Sequence, residues 1–323
     1  MATYAVIGTG AVGGYYGGLL QKAGRLVRFL VRSDYAHIKA HGLRVDSPKG
    51  DFVLDKVEAY ADAGAMPACD VAVVAWKTTE NGHLAGVLPK VLKPGGAVLV
   101  LQNGLDPERD AAAAVPDAKI LSGLCFLCSR KAGPGWIEHL DYGAVTLAAY
   151  AEPGAAPTGA SPTGASSSKG AGATPEMQSI GDDLRAAGVD VRMHEDWRAA
   201  RWRKLVWNIP FNGLCALLGT DTDHLMRHAP MRAQVAALID EVIAGAASCG
   251  CPLPGDFRDR MMRDTDAMAP YEPSMKLDRD SGRPMELAAI YGRPLEEIAK
   301  AGGAAPLIAA LHAQLRFLET GSA

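Results

Sequence analysis

Gly8, Gly10 and Gly13 form a G-x-G-x-x-G pattern directly after a short apolar run, 4–7, and directly before a segment, 11–23, that can form a helix. A second apolar run at 26–31 completes a strand, helix, strand unit. Glycines so placed permit a tight turn, close approach of backbone to a pyrophosphate, and close packing of helix on strand. The helix then directs its free N–H groups at the phosphates. Any glycine-rich turn can match the pattern by chance, and the flanking strand and helix are what give it content.

The runs 71–75 and 97–101 have the continuous Val, Ala and Leu character of strands buried on both faces, as in a parallel sheet. Shorter strand candidates lie at 43–45, 52–54, 120–126 and 145–149, some of them antiparallel and peripheral. The first half is therefore α/β, a Rossmann-type dinucleotide-binding domain whose loop consists of Gly8, Thr9, Gly10, Ala11, Val12 and Gly13. From 152 to 175 every residue except Glu152 and Lys169 is Pro, Gly, Ala, Ser or Thr, and Pro-Thr-Gly-Ala-Ser occurs at 157–161 and again at 162–166. That composition cannot bury enough apolar surface to offset its ordering entropy, so a mobile surface loop is expected. A helix at 177–187 and a strand at 189–194 follow, which places the insertion inside a first domain spanning 1–195. Beyond Trp197 the pattern is almost wholly helical, at 198–218, 231–248, 258–264, 285–301 and 306–319. A helical second domain, 196–323, is the consequence, and 323 residues suffice for two cores.

Lys plus Arg total 33 against 36 Asp plus Glu, so the net charge of −3 offers no footprint for nucleic acid or an anionic membrane. The first eight residues lack a signal peptide's basic and apolar segments, and no apolar run approaches the ~18 residues of a membrane span. A cytoplasmic protein acting on a small molecule is expected, as a monomer or homodimer. Six cysteines are too sparse for a disulfide scaffold. Cys125 and Cys128 have CxxC spacing, but in a strand positions three apart face opposite sides, so no metal site is expected there. His224 and His228 would share a helical face, yet no carboxylate or cysteine at suitable spacing completes a zinc site.

At the end of the second strand, where an NAD enzyme places an acidic residue on the adenosine ribose, this chain has Arg32 and Ser33. A guanidinium makes paired charge-assisted bonds to a 2′-phosphate that a carboxylate would repel, which favours NADP(H). Asp34 is the alternative: were it to face the ribose instead, NAD(H) would be accommodated.

In the helix 198–218, Lys204, Asn208 and Asn212 recur every four residues, on one face, among Leu205, Val206, Trp207, Ile209, Phe211 and Leu214. Asn is a poor helix former, and a buried amide or ammonium without a partner costs on the order of a few kcal/mol. A polar substrate would supply the partner. A solvated Lys204, with both Asn bonded to neighbouring backbone, is the competing account. Pro210 breaks a helical hydrogen bond, and a kink is expected.

Together with the glycine loop, Arg32 after the second strand, Lys77 after Val-Ala-Trp, Gln102-Asn103-Gly104, Pro273-Ser274-Met275 and the run Gly282-Arg283-Pro284-Met285-Glu286, this helix gives the chain a strong resemblance to the 2-dehydropantoate 2-reductase, or ketopantoate reductase, family. The resemblance covers nearly the whole chain. It implies a Rossmann domain followed by an all-helical domain, an active site in the cleft between them, and NADPH-dependent reduction of ketopantoate to pantoate in the pathway to pantothenate and coenzyme A. By the same resemblance Lys204 is the catalytic lysine that protonates the C2 oxygen as hydride arrives. A cationic donor stabilises a developing alkoxide, and partial desolvation moves a lysine toward neutrality. Glu286 matches the acidic active-site residue, Ser274 the carboxylate-binding residue, Asn208 and Asn212 substrate-binding amides, and Asn103 a residue near both nicotinamide and substrate. Arg32 and Lys77 match positions near the 2′-phosphate.

The chain departs from the family pattern at Glu80, where some members carry Gln near the cofactor phosphate, and in the insertion 152–175. Asp278 and Arg279, between Ser274 and Glu286, lie where they could bias the pocket toward another keto acid. Two rivals remain: a reductase of a different small 2-keto acid, which would keep Lys204, and an NADPH-binding sensor, which would need neither Lys204 nor Glu286.

Overall fold

The structure, a computed structural model, describes residues 1–151 and 173–321. These divide into two compact units, Met1–Gln102 with Pro107–Trp197, and Asn103–Asp106 with Arg198–Ala323. The four residues Asn103–Asp106 thus pack with the helical unit, although the chain around them belongs to the first.

The first unit runs β1 (Thr3–Ile7), α1 (Ala11–Lys22), β2 (Leu26–Leu30), α2 (Tyr35–His41), β3 (Leu43–Asp46), β4 (Phe52–Leu54), β5 (Glu58–Tyr60), β6 (Cys69–Val74), α3 (Leu84–Val91), β7 (Leu92–Val100), α4 (Glu108–Ala114), β8 (Lys119–Gly133), β9 (Trp136–Ala149), α5 (Pro175–Ala186) and β10 (Val191–Met193). Its sheet has the order β4-β3-β9-β8-β7-β6-β1-β2-β5, with β10 on β9. β1 pairs parallel with both β2 and β6, so the winding reverses at β1. Ligands in such sheets bind at the carboxyl ends of the strands at that reversal, which is where the glycine loop lies. Successive residues of β1 serve opposite faces: Tyr4 and Val6 join one apolar core, Ala5 and Ile7 the other. This two-sided burial is why β1, β6 and β7 read as unbroken apolar runs.

The strand runs at 120–126 and 145–149 prove to be the inner halves of a long antiparallel hairpin. Its outer half escapes the apolar pattern because it is polar; there Arg130 pairs across the strands with Glu138 at 2.5 Å. The register shifts between Phe126 and Leu127, so simple alternation does not carry from Cys125 to Cys128. Both cysteines are buried, and neither is in a disulfide. The insertion lies outside the described residues over 152–172. At its end, Thr174 accepts a hydrogen bond from the Met177 N–H at 3.2 Å, and Pro175, expected in the loop, already occupies the first turn of α5.

The second unit comprises α6 (Trp197–Leu218), α7 (Thr222–Arg227), α8 (Ala229–Ser248), α9 (Phe257–Asp266), α10 (Ser274–Asp280), a π-helical turn (Ala288–Gly292), α11 (Arg293–Lys300) and α12 (Pro306–Thr320) around one apolar core. α6 continues through Pro210 and is buried on nearly every side. The helix expected over 285–301 starts later, at Leu287, and runs to Lys300. Residues 283–286 are irregular, so Glu286 precedes the helix and does not belong to its first turn. The π-helical turn then intervenes, and Pro294, which has no N–H, follows it. His224 and His228 do not share a helical face either: α7 ends at Arg227, and His228 adopts extended backbone as the cap of α8. No helix among the described residues is long and apolar enough to cross a membrane.

Candidate active site

The three motif glycines have different physical reasons. Gly8 has φ +95°, and a Cβ there would lie 2.6 Å from the Trp76 nitrogen. At Gly13 a Cβ would lie 2.0 Å from the Gly8 carbonyl oxygen. The fold itself demands both. Gly10 is different: its φ of −82° suits any residue and a Cβ would meet nothing within 4 Å. Nothing in the chain explains a glycine there, whereas a pyrophosphate lying against the backbone would. Gly10 also caps α1 with no side-chain bond, and the first turn carries no acidic residue, so its N–H groups suit an anion. Thr9 donates from its hydroxyl to the Leu30 carbonyl at 3.4 Å, joining the loop to β2. Ala11 opens α1, and Val12 packs against the core. The residues present therefore fit a dinucleotide.

Beyond β2, Asp34 is committed to partners within the protein. Asp34 is buried and accepts from Lys131 Nζ at 2.6 Å, the Gly135 N–H at 3.0 Å and the Ser33 hydroxyl at 3.0 Å. Burial pushes its carboxyl up, but these hydrogen bonds, Lys131 first, outweigh it and hold the group below the usual carboxylate range. Arg32 remains outward, and its Nη1 lies 2.8 Å from Glu80 Oε2. Glu80 sits on a 3₁₀ turn, Thr78–His83, which Lys77 caps. Asn81 fixes that turn: its Oδ1 accepts from Gln102 Nε2 at 2.6 Å and Trp76 Nε1 at 3.1 Å, and its Nδ2 donates to Asp110 at 2.7 Å. No sequence pattern singles out Asn81, because its partners come from distant segments.

In the helical unit, Lys204, Asn208 and Asn212 are all at least nine-tenths buried on α6. The solvated-lysine account therefore fails. Asn208 Nδ2 has no hydrogen-bond partner among the described residues. Leaving such a donor unmet costs about 1–3 kcal/mol, which an acceptor on a ligand would recover. Glu286 is buried, and Glu319 on α12 accepts from the adjacent Met285 N–H at 2.7 Å. Ser274, half-buried, opens α10; the Tyr271 N–H ahead of it donates to the Thr222 hydroxyl at 3.1 Å. A second buried lysine, Lys276, is held between Glu272 at 2.6 Å and Asp280 at 2.7 Å. The Asp280 and Glu272 hydrogen bonds raise its pKa, so it is a committed cation.

Asn103 is placed by the π-helical turn. Arg293 donates its N–H to Ala288, five residues back, and Pro294 has no N–H for Ala289. The freed Ala289 carbonyl accepts from the Leu105 N–H at 2.8 Å. Gly104, at φ +93°, is required here, since a Cβ would lie 2.6 Å from that carbonyl oxygen. Arg293 Nη1 then donates to the Asp106 carbonyl at 2.7 Å and, at 3.5 Å, to that of Leu105. Tyr291, in the same turn, donates to the Ile209 carbonyl of α6 at 2.8 Å, where Gly213 leaves room for its hydroxyl. Asn103, Glu286 and the Lys204 helix are thereby tied to one irregular turn. Sequence reasoning missed Arg293 and Tyr291; the proline at 294 inside a helical pattern was the available signal.

A glycine loop at the reversal of a parallel sheet, with a cation beyond β2, joined to a helical unit with a buried lysine and amides, defines a dinucleotide-dependent oxidoreductase. Residues 4–152 match the family model described as ketopantoate reductase PanE/ApbA, and residues 196–319 match its C-terminal counterpart. A 2-dehydropantoate 2-reductase of Nostoc sp. is 48 % identical over 98 % of this chain and 95 % of its own. A crystal structure of 2-dehydropantoate 2-reductase from Geobacter metallireducens, 37 % identical, superposes with a TM-score of 0.88 and covers 97 % of this chain and 99 % of that one. A D-mandelate dehydrogenase solved with NADH and anilino(oxo)acetate shares the fold, with a TM-score of 0.85 at 20 % identity over 99 % of each chain. The chain belongs to the ketopantoate reductase family.

Proposed function

We propose that this chain reduces 2-dehydropantoate to pantoate with NADPH, Lys204 acting as proton donor. The observation that carries the assignment is the buried line Lys204, Asn208 and Asn212 on one helix, where Asn208 Nδ2 has no hydrogen-bond partner among the described residues. NADPH, when bound, supplies a hydride to the C2 carbonyl carbon. The Lys204 ammonium stabilises negative charge growing on the C2 oxygen, then transfers a proton to it, completing the hydroxyl; solvent returns the proton to the amine. Asn208 and Asn212 orient the keto acid, Asn208 Nδ2 donating to one of its oxygens. Ser274 takes the carboxylate and Glu286 holds the substrate hydroxyl. Gly8, Thr9, Gly10, Ala11, Val12 and Gly13 cradle the pyrophosphate, Arg32 and Lys77 meet the 2′-phosphate, and Asn103 serves nicotinamide and substrate together. No metal takes part. On this assignment the enzyme is a cytoplasmic monomer or homodimer that needs neither nucleic acid nor a membrane.

The test is oxidation of NADPH with ketopantoate beside a panel of other 2-keto acids. Turnover with ketopantoate is expected, and turnover with another acid alone would replace the substrate. Lys204→Ala should lower kcat by about two orders of magnitude or more while NADPH still binds. Unchanged kcat would remove Lys204 from the chemistry.

A further inference from the structure

The carboxylate that meets Arg32 comes from Glu80, on a separate segment. Asp34, two residues from the arginine, is committed to Lys131, Gly135 and Ser33. Glu80 Oε2 lies 2.8 Å from Arg32 Nη1; the arginine side chain is 84 % exposed and the glutamate 27 %. The less exposed partner is thus the acid, held on the turn that Asn81, Gln102 and Trp76 brace. Its backbone N–H donates to the Lys77 carbonyl at 2.9 Å, which closes the 3₁₀ turn that carries it.

A 2′-phosphate reaching Arg32 must displace this carboxylate or sit beside it, two anions on one guanidinium. A 2′-hydroxyl has no such conflict, because it can donate to the carboxylate. The fold does not choose between them, since a dehydrogenase of the same fold was solved with NADH.

We propose that Glu80 is a cofactor-specificity residue, competing with the adenosine 2′-phosphate for Arg32 and narrowing the chain's preference for NADPH over NADH. The proposal rests on the assignment of Arg32 to the 2′-phosphate. Dissociation constants of NADPH, NADH and 2′,5′-ADP are measured by titration calorimetry without keto acid, for the wild type, Glu80→Gln, Arg32→Ala and the double variant, with thermal melting to verify folding. Glu80→Gln should tighten NADPH and 2′,5′-ADP about threefold to fivefold, the scale of one exposed ion pair, and leave NADH unchanged or weaker. Added salt should shrink the difference, and Glu80→Gln should have no effect in the Arg32→Ala background. Unchanged or weakened NADPH binding in Glu80→Gln, with Arg32→Ala still selective against NADPH, overturns the role of Glu80 alone. Equal weakening of NADPH and NADH by Arg32→Ala overturns the assignment of Arg32 and this proposal with it.

Discussion

Asp34 and Arg32 are two residues apart with opposite fates, decided by their partners. Asp34 is a structural anion that fastens the end of β2 to the β8–β9 hairpin through Lys131 and Gly135. Its folded pKa lies below its unfolded one, so its contribution to stability is fully present above the ordinary carboxylate range. That contribution is lost as pH falls through the depressed folded value. Asp34→Asn should therefore lower unfolding stability by about 1–2 kcal/mol at pH ~7, discounted for the partly exposed Lys131, and by less below pH ~4. Urea unfolding at the two pH values measures this; a deficit that grows in acid would contradict it.

Among elements, the loop joining β1 to α1 and the π-helical turn do the positioning. Gly13→Ala would drive a Cβ into the Gly8 carbonyl and should cost about 2 kcal/mol or more, seen as a lowered Tm. Gly10→Ala meets no such obstacle and should leave Tm nearly unchanged while weakening NADPH severalfold. A Gly10→Ala variant that melts early but binds normally would reverse the roles assigned to the two glycines. The π-helical turn holds Asn103 through Ala289 and Arg293. Arg293→Met should lower kcat/KM for the keto acid about tenfold or more with helical content unchanged, because small misplacements of positioning groups are costly. Equal kcat/KM would show that the backbone bond from Leu105 suffices alone.

At the scale of the whole molecule, the chain carries separate apolar cores, two against the faces of the sheet and one among the helices. Unfolding monitored by calorimetry should depart from a single two-state transition. Saturating NADPH, at about 100 times its Kd, should add about 2.7 kcal/mol to the transition of the unit that bears the glycine loop. A shift confined to the helical unit's transition would place the cofactor elsewhere.

Much of this was legible in the sequence because it follows from local physics. Unbroken apolar runs mark strands buried on both faces, as in β1, β6 and β7, and four-residue spacing marks the polar line of α6. The glycine loop and the Lys204, Asn208, Asn212 line are short-range arrangements that spacing alone reveals. Tertiary structure decided what depends on distant partners. It committed Asp34 to Lys131, and it set Glu80 against Arg32 across 48 residues. It moved Asn103–Asp106 onto the helical unit and set a π-helical turn inside the helix that runs to Lys300, where a proline without an N–H leaves the Ala289 carbonyl to the Leu105 N–H. Hydrogen bonds and charges choose partners by proximity in space, and proximity between remote segments exists only once the chain has folded.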